Sequence, residues 1–173
     1  MRENTNRHLT ILACSALLIA LDIILTRFLA INTQFLRISL GMIPVAVAGM
    51  AFGPLWGGLV GAIGDVLGML IFPSGAYFPG FTLTAALTGI VYALFVYKKE
   101  AKVISIALAS VIVCIGLNLL LDTLWLNIMY GSGFLAILPA RAVKCIINIP
   151  IYTIILHLLW TKVLTRIPGF RDL

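Results

Sequence analysis

Apolar positions in this chain run in long blocks and show neither the alternation of a strand nor the half-polar stripe of a soluble helix. Six blocks stand out, at residues 8–30, 39–52, 54–72, 80–97, 103–129 and 134–164. About 20 apolar residues carry a helix across the hydrocarbon layer, so the pattern predicts six transmembrane helices in one bundle. The second block is short and interrupted by Gly41, Pro44 and Gly49, and only Gly53 and Pro54 part it from the third. Between the third and fourth lies the stretch PSGAYFPG, Pro73 to Gly80. Its prolines restrict the ends of a loop, and its glycines supply freedom where the chain must bend.

Composition places these helices in a membrane. With 62% hydrophobic and 10% charged residues among 173, and a mean hydropathy of +1.14, there is too little polar surface to cover a soluble globule. The connections are only a few residues long, so residues 1–173 read as a single membrane-embedded domain of an all-α integral membrane protein. An even number of spans puts both termini on one side. Arg2 and Arg7, Lys98, Lys99 and Lys102, and Lys162, Arg166 and Arg171 all fall on that side, which the positive-inside rule makes cytoplasmic. The net charge of +6 is therefore mostly topology, and no nucleic acid is needed to explain it.

Several chemistries find no support. The basic start and the ILAC before Ser15 resemble a lipoprotein signal, but the apolar run continues past Cys14, so an uncleaved first helix is expected. Cys14, Cys114 and Cys145 lie in apolar blocks without a CxxC pair, which argues against a disulfide framework or a metal site. His8 and His157 sit near cytoplasmic helix ends with no HExxH or GxSxG. No GxxxxGK[ST] loop is present to hold nucleotide phosphates, so the chain reads as neither an enzyme nor an ATPase.

The ionisable residues left over are Asp22, Arg27, Arg37, Asp65, Asp122, Arg141 and Lys144. At about 1.5 Å per residue along each helix, all fall in the outer half of the membrane or at its external face. Charges in membrane segments are costly and line cavities or pair with one another, so this one-sided cluster points to a pocket facing outside. Asn118, Asp122 and Trp125 follow i, i+4, i+7 on the fifth block, and Arg141, Lys144 and Asn148 follow i, i+3, i+7 on the sixth. Folding about the YGSG turn at 130–133 brings Asp122 level with Arg141. The pair is either a strut between helices or part of an anion site, and Lys144 is left over as a cation for a ligand or a side chain reaching the surface.

Two small-residue stripes complete the pattern. Gly61, Gly64 and Gly68 share a face with Asp65 and admit either a neighbouring backbone or a flat ligand. Ala13, Ala16 and Ala20 share a face of the first helix, and Asp22 projects roughly 200° from Ala20 at 100° per residue. If Asp22 faces inward, the alanines face another subunit; an internal packing stripe fits the spacing equally well.

These features together resemble the S components of energy-coupling factor (ECF) vitamin transporters, and within them the folate-binding group. The resemblance is carried by Ala16-x-x-x-Ala20, by RISLGMIPVAVAGMAFGPLWGGLVGAIGDVLG from Arg37 to Gly68, and by PSGAYFPGFTLTAALTGIVYALF from Pro73 to Phe95. It implies a cell-membrane, multi-pass protein that binds folate in a pocket covered by external loops. Release inside would follow docking to a membrane T component driven by two cytoplasmic ATPases that use ATP, with no cofactor held by this chain. Ala16 and Ala20 become the docking face, and Tyr77 and Phe78 a lid over an aromatic ligand. Folate's pterin offers adjacent donors to a carboxylate and its glutamate tail wants cations. Asp65 is therefore expected at the pterin, with Asn118 and Asp122 as alternative or additional partners. Tyr77, Phe78 and Trp125 would flank the rings, and Arg27, Arg141 and Lys144 would meet the tail. A riboflavin or thiamine S component, and a small secondary transporter or channel, remain the rival readings.

Overall fold

Several helix ends in this chain are set by glycine and proline. The computed structural model describes residues 2–28, 31–32, 37–73, 75–99, 101–131 and 134–166. Among them run α1 (Arg2–Arg27), α2 (Met42–Phe52), α3 (Pro54–Ile71), α4 (Pro79–Val96), α5 (Val103–Tyr130) and α6 (Phe134–Lys162), the last followed by a 3₁₀ turn at Leu164–Arg166. Pro54 and Pro79 open α3 and α4, where a missing N–H costs no helical bond. Gly53, at φ 97°, makes the reversal between α2 and α3 that a side chain would resist, and Gly131, at φ 61°, closes α5 with its N–H on the Asn127 carbonyl. Residues 29–30 of the first expected helix, Ser74 of the PSGAYFPG stretch, Ser132 and Gly133 of the expected turn, and Arg171 lie outside the described residues.

The expected bundle is present with three differences. Between α1 and α2, β1 (Ile31–Asn32) and β2 (Arg37–Ile38) pair antiparallel, Ile31 opposite Ile38, a two-residue ladder in an otherwise helical chain. The second difference is in α5, which is α-helical over Val103–Val111 and Asp122–Tyr130 but π-helical over Ile112–Leu121. Hydrophobic periodicity carries no mark of such a widened stretch, a form associated with functional sites.

The third difference is α2. Five helices are long and apolar enough to cross a membrane; Met42–Phe52 is not, spanning about 16 Å at 1.5 Å per residue. Yet every residue of α2 from Ile43 to Phe52 is buried, as expected of a helix that is hydrophobic all round. It packs on α1, α3, α4 and α6. On one side Val45, Ala48 and Phe52 meet Ile11 and Val60; on the other Met50 joins Tyr92, Ile106, Val113 and Leu156. The outer surface is the reverse of a soluble protein's: Leu70 of α3, Ile104 of α5 and Ile146 of α6 are all more than 70% exposed. The chain is an all-α membrane protein.

Close approach of α2, α3 and α4 depends on glycine. A Cβ on Gly57 would stand 2.6 Å from the Gly49 Cα, and one on Gly89 would collide with the Gly57 carbonyl. Gly89→Ala should therefore destabilise the folded protein by about 1–3 kcal/mol. Gly116→Ala, where an added methyl meets nothing within 4 Å, should cost nothing. Thermal unfolding in detergent checks this, and equal melting temperatures would remove the close-packing argument.

Candidate functional site

Asp22, Arg27, Asp65, Asp122, Arg141 and Lys144 meet in one cavity of about 360 Å³, a size suited to a small organic ligand. Arg27, Asp65, Tyr77, Phe78, Asn118, Asp122, Arg141 and Lys144 all line it. Trp125 does not. It turns toward α4, where its ring centroid lies 5.6 Å from that of Phe78 and its Nε1 donates to Thr84 Oγ1 at 3.2 Å. Trp125 thus backs the aromatic wall without forming it. Phe81, with its ring centroid 6.2 Å from Phe78, is the aromatic that lines the cavity in its place.

The side of the cavity built by α5 and α6 is tightly tied. Arg141, buried among the helices, contacts Asp122 Oδ2 at 3.2 Å and donates to the Asn118 main-chain carbonyl at 2.8 Å. The hairpin register expected from sequence is therefore present, and the strut and the cavity wall are the same residues. A buried acid–base pair of this kind leaves an uncompensated charge if one partner is lost. Asn118 reaches Val113 O at 3.3 Å and Met42 Sδ at 3.8 Å, which ties the widened part of α5 to the start of α2. Lys144 lies within electrostatic range of both Arg141 and Asp122. Asn148 is buried but is not part of the lining.

On the opposite side, α1 and α3 contribute a second group. Arg27 lies close enough to Asp65 and Asp22 to interact with both carboxylates. The glycine face of α3 explains how α1 comes so near: a Cβ on Gly64 would strike the Asp22 carboxylate, and one on Gly68 would stand 3.0 Å from Arg27 Nε. Gly61 instead receives the Ala85 backbone of α4. None of the three glycines lines the cavity, so their openness serves packing by neighbouring elements. Asp65 accepts a hydrogen bond from Thr82 Oγ1 at 2.7 Å, and Thr82 in turn lies 3.1 Å from the Tyr77 hydroxyl.

The floor is unusual for a membrane protein. Ser39, Gly41, Met42 and Val45 line the cavity at the approach to α2. The Ser39 carbonyl accepts from the Tyr152 hydroxyl at 2.8 Å, and Tyr152 stands about 27 Å along α6 from Phe134 at 1.5 Å per residue. Non-helical backbone therefore reaches deep into the bundle, where it is tolerated because it borders a cavity and its carbonyl is bonded.

Several lining residues were not picked out from sequence. Phe81, Thr84 and Thr88 fall at i, i+3, i+7 on α4 and all line the cavity, a spacing that could have marked them. Asp22 is buried while Ala13, Ala16 and Ala20 are exposed, which decides between the two orientations of α1 that the spacing leaves open. The alanine stripe is thus on the outer surface of the bundle. No group of three or more metal-ligating side chains gathers among the described residues.

Known proteins resemble this chain in sequence and in fold. Residues 11–160 match the family model described as the ECF transporter, substrate-specific component. The chain is 44% identical over 157 residues to "Folate transporter FolT" of Clostridium novyi, covering 91% of each protein. It is 34% identical over 146 residues to the protein of the same name from Leuconostoc mesenteroides, covering 79% of this chain and 76% of that one. Among solved structures, "Crystal structure of FolT bound with folic acid" superposes with a TM-score of 0.83 at 42% identity, covering 87% of this chain and 94% of that one. Six helices around a charged cavity, matched over nearly the whole chain, place this protein in the family of ECF transporter substrate-specific components.

Proposed function

We propose that this chain captures folate as the S component of an ATP-driven vitamin uptake transporter. Its resemblance to folate transporters and to a FolT structure holding folic acid supports the substrate. The observation that carries the binding mode is the partition of charge across the cavity. Asp22, Arg27 and Asp65 together carry one net negative charge, whereas Asp122, Arg141 and Lys144 carry one net positive charge. Folate has the matching polarity: a pterin edge with adjacent donors at one end and two carboxylates at the other.

The pterin lies at Asp65, and the glutamate tail at Arg141 and Lys144. Arg27, expected from sequence among the tail's partners, stands beside Asp65 and meets the pterin end, where it can donate to the ring carbonyl. Tyr77, Phe78 and Phe81 cover the ring system, with Trp125 behind them. Asn118 and Asp122 hold Arg141 in place for the tail. A cationic vitamin such as thiamine finds Arg141 and Lys144 repulsive.

The sixth crossing is completed by α2 together with the non-helical backbone of residues 37–41, which makes up for the helix's short length. Both termini are then cytoplasmic and the cavity opens outside. With no nucleotide-binding loop of its own, the chain takes its energy from a T component and two ATPase subunits. The exposed Ala16 and Ala20 form the face on which the T component docks, since small side chains let another helix approach closely.

Four measurements check these statements. Titration of the detergent-solubilised protein, followed by tryptophan fluorescence, should saturate with folate and not with riboflavin or thiamine. In competition against folate, Asp65→Ala should weaken 6-hydroxymethylpterin tenfold or more, ~1.4 kcal/mol, and Lys144→Gln should weaken p-aminobenzoylglutamate. The reverse pattern would turn the ligand around. Epitope tags at either end should be reached by antibody only in permeabilised cells; a tag reached from outside would refute the even number of crossings. Ala16→Trp should abolish folate uptake in the complete transporter while leaving folate binding intact, and uptake at the parental rate would move the docking face elsewhere.

A further inference from the structure

Tyr77, Thr82 and Asp65 form a hydrogen-bonded line from the external loop into the cavity. Thr82 Oγ1 stands 2.7 Å from Asp65 Oδ2 and 3.1 Å from the Tyr77 hydroxyl. A carboxylate only accepts, so the single Thr82 proton goes to Asp65 and Tyr77 donates to Thr82. The line therefore has one direction. Tyr77 and Asp65 line the cavity, but Thr82 does not. It stands behind them in the first turn of α4, a place set by the helix start at Pro79.

We propose that Thr82 is a positioning residue for substrate: its hydroxyl orients the Asp65 carboxylate and holds Tyr77 over the cavity. This deepens the folate reading and rests on it. By occupying one lone pair of Oδ2, Thr82 leaves Oδ1 and the remaining pair of Oδ2 for the two donors of the pterin edge. The bond to Asp65 is charge-assisted, and such bonds are stronger than neutral ones. Tyr77 is 51% exposed, so packing alone holds it weakly, and the hydroxyl contact decides where its ring rests. One small side chain thus sets both the acceptor at the ligand's end and the cover above it.

Valine keeps the shape of threonine without its hydroxyl, and serine keeps the hydroxyl without the methyl, so the two substitutions separate bonding from packing. Without ligand, a nitroxide on Ala76→Cys reports on the loop, in a Cys14→Ala background because Cys114 and Cys145 are buried. Thr82→Val and Tyr77→Phe should each raise its mobility, the double variant no further, and Thr82→Ser should match the parent. In unlabelled protein, Thr82→Val should release folate roughly tenfold faster, and Thr82→Ser should restore the parental rate. Unchanged mobility and unchanged release in Thr82→Val would overturn the proposal while leaving the folate reading in place. Raised mobility in a protein that binds no folate would uphold the Tyr77–Thr82–Asp65 tie and overturn the folate reading.

Discussion

A backbone carbonyl without a helical partner inside a bilayer must be satisfied by protein or border a cavity. This constraint organises the cavity. The Ser39 carbonyl, on non-helical chain deep in the bundle, is taken by Tyr152. The Asn118 carbonyl, in the π-helical stretch of α5, is taken by Arg141. Thr123 closes on the Leu119 carbonyl one residue further along. The backbone irregularities that create room for a ligand are thus stabilised by the side chains that surround it.

The Arg141–Asp122 pair has a double part in this scheme. An arginine buried to this degree needs a counter-charge, and Asp122 supplies it. A buried pair is weak evidence for stability in itself. Here it fixes a guanidinium beside a second cation, Lys144, so that one wall of the cavity keeps a net positive charge after the internal pairing is complete. The opposite wall, with two carboxylates and one guanidinium, keeps a net negative charge. The cavity is thereby polar along its width, which is how it can orient an elongated ligand whose two ends differ.

Packing makes that separation possible. Glycines let α2, α3 and α4 meet at backbone distance, and those on α3 let Asp22 and Arg27 of α1 lie close against it. The charged group on α1 and α3 therefore belongs to a closely fitted block of four helices. The α5–α6 hairpin carries the other group and closes the cavity against that block.

Much of this could be read from local pattern. Block length, with glycine or proline at several boundaries, located the helices within a few residues, although α6 runs on through Pro139 and Pro150. The i, i+4 and i, i+3 spacings, with a short turn between them, were enough to set Asp122 against Arg141, and the angle between Ala20 and Asp22 put the two on different faces of α1 while leaving open whether the alanines packed inside. Periodicity says which residues share a face; it does not say what lies opposite. That is why the cations divide between two walls, Trp125 turns to Thr84, and the Gly64 and Gly68 face receives α1 instead of a ligand. The burial of α2 against α1, α3, α4 and α6 and the bond from Thr82 of α4 to Asp65 of α3 likewise arise from contacts between separate helices. Those contacts exist only once the helices have packed.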